Sequence, residues 1–218
     1  MCGIFIAFSK KNRPLNSRKC QESLAELFNR GPDFTKYQFF LNHRLFISNS
    51  ILSITGKIDQ NKNLFQSSSK RFSIAFNGEV YNYRELQKKF LKIDYFKTKE
   101  FTDTEVLVNL HDFISTTKIP KLLNGMFAYV IYDIKKNNLI IANDVQGEKN
   151  LYYYNDDNFF IVSSTPKSIL KFIGRTNLNI NVLKSYFTTR HYMPLNQTCF
   201  SNINLFKNGI LINCDLKK

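Results

Sequence analysis

The chain has 218 residues, 43% of them apolar, enough to bury a core as one large domain or two small ones, which excludes a disordered or fibrous protein. Lys and Arg outnumber Asp and Glu by 31 to 17, a formal charge of +14 that favours acidic partners or simply solubility. The basic residues are scattered, with no run longer than pairs such as Lys10-Lys11 and Lys217-Lys218, no Arg-rich arm and no array of zinc ligands, so nucleic-acid binding is disfavoured. Cys2, Cys20, Cys199 and Cys214 form no C-x-x-C pair, which argues against a metal knuckle or disulfide framework and for a reducing, cytoplasmic setting. No membrane association is expected, because the apolar opening Gly3 to Phe8 is too short to span a bilayer and its basic residues follow it.

One domain over residues 1–218 is expected. Gly3 to Phe8 reads as a buried strand, after which Ser17 caps a helix with Cys20, Leu24, Leu27 and Phe28 inward, stopped by Gly31-Pro32. Asn61 to Lys70 is polar enough for a surface loop. Phe72 to Phe76 reads as a strand breaking at Asn77-Gly78, with Asn82 capping a short helix that carries Leu86 and Phe90. Thr102 and Glu105 have capping-box spacing and open a further helix, with Val106, Leu107, Leu110, Phe113 and Ile114 inward. Met126 to Asp133 and Leu139 to Ala142 form a hairpin through Lys135-Lys136-Asn137-Asn138, followed by strands at Leu151 to Tyr154 and Phe159 to Ser163. Helical patterns near Ser168 to Phe172 and Val182 to Phe187 precede strands near Cys199 to Leu205 and Ile210 to Ile212. The fold class is α+β.

The chemistry starts at Cys2. A residue that small after Met1 permits methionine removal, leaving a thiol and a free α-amino group on one residue. With pKa values of about 8.5 and about 7.7 to 8.0, the amine can relay the thiol proton near neutral pH. No His is then required, and His43, His111 and His191 show no context resembling a Cys/His dyad. A cysteine at position two can equally be a structural residue.

Read together, Met1-Cys2-Gly3-Ile4, Arg30-Gly31-Pro32-Asp33, Phe76-Asn77-Gly78-Glu79-Val80-Tyr81-Asn82 and Thr102-Asp103-Thr104-Glu105 resemble the class II glutamine amidotransferases. The set is most similar to the N-terminal glutaminase domain of the asparagine synthetase family. The resemblance continues through Gly125-Met126-Phe127-Ala128, Asp144 to Tyr153, Ser163 to Lys167, Tyr192-Met193-Pro194 and Thr198-Cys199-Phe200. It implies a four-layer αββα sandwich of the N-terminal-nucleophile hydrolase type. It implies also that Cys2 is the nucleophile, that Glu79 and Asp103 hold the α-ammonium of glutamine, and that Leu52 and Ile54 line the substrate. By its own chemistry, Asn77 can offer its side-chain amide to a developing oxyanion while Gly78 lets a backbone N–H approach closely. Asn-Gly standing alone would be a turn. Arg30 and Asp33 are expected to pin their turn by an ion pair.

The sequence departs from that family in places. The arginine that grips the substrate carboxylate belongs to a His-x-Arg-Leu-Ser-Ile segment, matched here by Asn49-Ser50-Ile51-Leu52-Ser53-Ile54 with Ile51 in the arginine's place. An aliphatic side chain cannot supply the bidentate fork, and Arg44 in His43-Arg44-Leu45 is the candidate substitute. Asn143 stands where Arg is usual, and Asn150 where Pro is usual. No Ser-Gly-Gly-x-Asp-Ser loop occurs, so the resemblance implies no cofactor for glutamine hydrolysis, with ATP and magnesium confined to a separate synthetase (ATP-pyrophosphatase) partner. A homo-oligomer is left open. Two readings follow: a glutaminase delivering ammonia to that partner, or a catalytically weakened binding or regulatory module.

Overall fold

The computed structural model describes residues 1–53, 63–91, 101–189 and 194–217. Alternation of side chains along the strands sorts the apolar residues into three separate cores. In β1 (Gly3–Ser9), Ile4, Ile6 and Phe8 face one way with Leu45 and Ile47 of β3 (Leu45–Ile51), while Phe5 and Ala7 face the other. β1 lies at the middle of an antiparallel six-stranded sheet between β3 and β9 (Phe159–Ser163); β2 (Phe34–Phe40) closes one edge, and β8 (Tyr152–Asn155) and β10 (Ile203–Leu205) the other. A second antiparallel sheet runs β11 (Leu211–Asp215), β7 (Asn138–Asn143), β6 (Gly125–Asp133), β5 (Phe72–Val80) and β4 (Phe65–Gln66).

Ile4, Ile6, Ala75, Ala128, Val130 and Ile141 fill the space between the sheets. On the outer face of the first sheet, Phe5 and Phe46 pack against Leu24 of α1 (Ser17–Ala25) and Ile169 and Phe172 of α4 (Pro166–Ile173). On the outer face of the second, Ile74, Phe76 and Tyr129 meet Leu86 of α2 (Tyr83–Phe90) and Val106, Leu107 and Leu110 of α3 (Asp103–Phe113). Two sheets with helices outside each make the αββα sandwich. A fifth helix, α5 (Ile180–Thr188), buries only Val182.

Most predicted elements stand, but β2 and β3 are additional to them, the strand expected near Cys199 to Leu205 is confined to Ile203–Leu205, and further local corrections follow. Asn16, not Ser17, caps α1, its side chain accepting from the Lys19 N–H at 3.1 Å, and the helix ends at Ala25, leaving Phe28 59% exposed. The strand at Phe72 does not break at Asn77-Gly78 but continues to Val80, because β6 pairs with it throughout. Asn82 makes no capping bond; its amide donates to the Leu122 carbonyl and accepts from the Asn124 N–H. Phe113, expected inward, is exposed. The stretch expected as loop contains β4, while its first two residues, Asn61 and Lys62, lie outside the described residues. The capping box of α3 is complete: Thr102 Oγ1 accepts from the Glu105 N–H and the Glu105 carboxylate from the Thr102 N–H. No helix among the described residues is long and apolar enough to cross a membrane.

His111 of α3 lies in the outer core against Phe72 and Tyr129, and burial pulls its pKa from 6.5 to about 3. The folded imidazole therefore stays neutral where the unfolded one protonates, so stability is complete above pH 6.5 and declines as pH falls from there toward 3. Chemical denaturation across pH 6.5 to 4 should show a loss of about 3 kcal/mol from this one proton, absent in His111→Phe. Identical pH slopes for the two proteins would count against a neutral buried His111.

Candidate active site

The two sheets are joined at one end by the side chain of Asn49. Its amide nitrogen donates to the carbonyls of Gly3 (2.9 Å) and Phe76 (3.0 Å), and its oxygen accepts from the Phe76 N–H (2.9 Å). This ties β1 to β5 across the inner layer, and the bridged residues are the immediate neighbours of Cys2 and Asn77. Cys2 is in phase with Ile4 and Ile6, and Asn77 with Ala75, so both project into the space between the sheets at the end where Asn49 closes it.

Asn77 is 1% exposed, and neither its Nδ2 nor its Oδ1 has a hydrogen-bond partner among the described residues. A buried amide with no partner is expensive and rare in folded proteins, so its position calls for a functional reason. The edge of β5 beyond β4, which pairs with no strand among the described residues, supplies the next part. β4 reaches only Ser73 and Ile74, and ladder alternation turns the N–H groups of Phe76, Gly78 and Val80 to that edge. Phe76 N–H is taken by Asn49 and Val80 N–H by the Asp103 carboxylate at 3.1 Å, with Gly78 between them. Gly78 has φ +152°, and a Cβ there would lie 2.1 Å from the Met126 carbonyl oxygen, so no other residue fits.

Cys2 is partly buried. Its thiol donates to the Leu52 carbonyl at 3.8 Å, and its own carbonyl accepts from Arg30 Nε at 3.0 Å. Burial pushes the thiol pKa up and Asp103 adds to the rise, while the Leu52 contact, the N-terminal charge and Arg30 pull it down. Asp103 stands at the start of α3, also accepting from the Thr104 N–H at 2.7 Å; burial and neighbouring Glu79 raise its pKa against those two backbone donors. Glu79 follows Gly78 on β5.

Arg30-Gly31-Pro32-Asp33 is laced to the end of β3. The Ser50 hydroxyl donates to the Gly31 carbonyl at 2.8 Å, and the Ser53 N–H to the Asp33 carboxylate at 2.7 Å. A Cβ on Gly31 would sit 2.4 Å from the Ile51 nitrogen, so the close approach needs glycine. The expected Arg30 to Asp33 ion pair is absent among the described residues: Arg30 goes to Cys2 and Asp33 to Ser53.

The structure thus gathers Cys2, Leu52, Asn77, Gly78, Glu79 and Asp103 at one end of the sandwich. Ile51, buried and in phase with Ile47 and Asn49, faces the inner layer at the same end. Arg44 is not brought there. It donates to the carbonyls of Ser9 and Lys10 at the far end of β1, about 20 Å from Gly3 by strand rise, so it is no substitute for the missing arginine. Ile54, Tyr192 and Met193 lie outside the described residues. Asn143 is structural, donating to the Lys207 carbonyl and accepting from the Ile210 N–H. Sequence reasoning quoted Asn49 only as part of a matched segment and gave it no role, since a bridge between sheets leaves no local signal.

All of residues 1–218 match the family model described as a glutamine amidotransferase domain. The chain belongs to that family. It is 32% identical over 211 residues to the Methanocaldococcus jannaschii protein named "Putative asparagine synthetase (glutamine-hydrolyzing) 2", a match covering 86% of this chain and 39% of that protein. It is 27% identical over 190 residues to the glutamine-hydrolyzing asparagine synthetase of Gallus gallus, covering 82% of this chain and 31% of the relative. The chain therefore spans less than two fifths of the length of these relatives. Among solved structures, the glutamine phosphoribosylpyrophosphate amidotransferase of B. subtilis superposes with a TM-score of 0.61 at 19% identity, covering 79% of this chain and 44% of that one. That likeness concerns the fold, which is of the N-terminal-nucleophile type. The protein is a class II glutamine amidotransferase domain related to the glutaminase portion of asparagine synthetases.

Removing the inter-sheet bridge should be costly. Asn49→Ala takes the partner from both the N–H and the carbonyl of Phe76 and a second donor from the Gly3 carbonyl, and urea denaturation should register a loss of about 3 kcal/mol. A loss below about 1 kcal/mol would show that the sheets hold this end together without it.

Proposed function

We propose that this amidotransferase domain hydrolyses glutamine with Cys2 as an N-terminal nucleophile, residues 1–218 forming the glutaminase unit. The observation that carries the reading is the buried, unpartnered amide of Asn77 in the same inner layer as Cys2. Removal of Met1 frees the α-amine, which accepts the thiol proton. The sulfur attacks the side-chain carbonyl carbon of glutamine, and the oxyanion takes hydrogen bonds from Asn77 Nδ2 and the Gly78 N–H. The protonated amine then gives its proton to the leaving nitrogen as the C–N bond breaks. Water hydrolyses the thioester, releasing glutamate and restoring the thiol.

Asp103 and Glu79 hold the substrate ammonium through charge-assisted hydrogen bonds, and Leu52 lines the pocket through its backbone. The electrophile is an ordinary amide and the nucleophile carries its own base, so the reaction needs no cofactor. The ammonia is delivered to an asparagine-synthetase-type partner, the ATP and magnesium chemistry residing there. Four free thiols suit a reducing, cytoplasmic setting. A binding module without turnover is the reading favoured by Ile51 at the arginine position.

Mass spectrometry of the purified protein should show loss of Met1. Glutamate release from glutamine should be abolished in Cys2→Ala and reduced about 100- to 1,000-fold in kcat in Asn77→Ala. Equal release by parent and Cys2→Ala would replace the glutaminase with the binding module.

A further inference from the structure

Lys149 is only 6% exposed, yet its ammonium has no ion pair among the described residues; its hydrogen-bond partner there is the Met1 sulfur at 3.5 Å. A thioether is a weak acceptor, and an ammonium carries three donors. The same sulfur lies 4.0 Å from Arg30 Nη2, whose Nε is already committed to the Cys2 carbonyl. Met1 itself is 55% exposed, so its side chain stands between two cations without being enclosed.

The position of Lys149 is built. The Asp144 carboxylate, itself buried, accepts from the backbone N–H groups of Phe127, Glu148 and Lys149. It thereby fixes the turn between β7 and β8 from which Lys149 reaches the chain terminus. When Met1 is removed, Lys149 and Arg30 flank a gap beside Cys2 and lose the one acceptor they share. Glutamine carries a single anionic group, and once its ammonium is directed to Asp103 and Glu79 that carboxylate needs a cation. Ile51 cannot provide one, and Arg44 is at the other end of the strand.

We propose that the space vacated by the Met1 side chain is an anion subsite in which Lys149 and Arg30 bind the α-carboxylate of glutamine. The inference rests on the glutaminase reading above. It makes removal of Met1 serve two ends, freeing the amine and opening the carboxylate site.

The test compares two substrates of the mature protein: L-glutamine and 4-aminobutanamide, which is glutamine without its carboxylate. Lys149→Met keeps the buried stem and removes the charge. Its loss of kcat/KM on glutamine should exceed its loss on 4-aminobutanamide at least tenfold, mainly through KM, and Lys149→Arg should recover most of the difference. If Lys149→Met fails to fold, Arg30→Gln is read by the same ratio, in which any disturbance of Cys2 cancels. Equal losses on the two substrates, with the parent active, overturn the subsite and leave the glutaminase standing. A parent inactive on glutamine overturns both.

Discussion

Everything at the candidate site hangs on the way one buried amide is spent. Asn49 gives its nitrogen to two carbonyls and its oxygen to one N–H, and those three groups belong to strands in different sheets. The apolar cluster between the sheets is without direction, able to hold them together but not to fix their register. Three directed bonds at one end convert that contact into a defined juxtaposition, and they do so one residue away from both Cys2 and Asn77. The sheets can therefore meet there at side-chain precision, which chemistry between a thiol on one and an amide on the other demands.

Around that bridge the loops are held by carboxylates accepting backbone N–H groups. Asp33 fixes the end of β3, Asp103 covers the edge of β5, and Asp144 shapes the turn carrying Lys149. Each accepts from a backbone donor, and two of the three stand beside positively charged or reactive groups. Framework and site are consequently made of the same residues. The net charge of +14 plays no visible part in this; what matters locally is where two particular cations sit relative to the chain terminus.

Much of this was legible in the sequence where the signal is local. The capping box at Thr102, the Met126 to Ala142 hairpin and the alternation in Gly3 to Phe8 each declare themselves within a few residues. The nucleophile candidate and its neighbours Asn77, Gly78, Glu79 and Asp103 were reached through short motifs. What failed was long-range. Asn77-Gly78 has the composition of a turn, and only pairing with a strand almost fifty residues later keeps it extended. Arg44 looked suitable by residue type, but antiparallel pairing of β1 with β3 carries it to the wrong end. Lys149 and Asn49 gave no sign, because a contact spanning over a hundred residues and a bridge between sheets exist only after folding.

The placement of Asn77 on a paired strand rather than on a loop has one more consequence. Its side chain contributes no hydrogen bond to the sandwich, while its backbone is held by β6. Replacing it leaves the ladder intact, so whatever the amide does at the site can be removed, or restored by reversion, within an unchanged scaffold. Descendants of such a domain are free to lose or regain that side chain without passing through an unfolded intermediate.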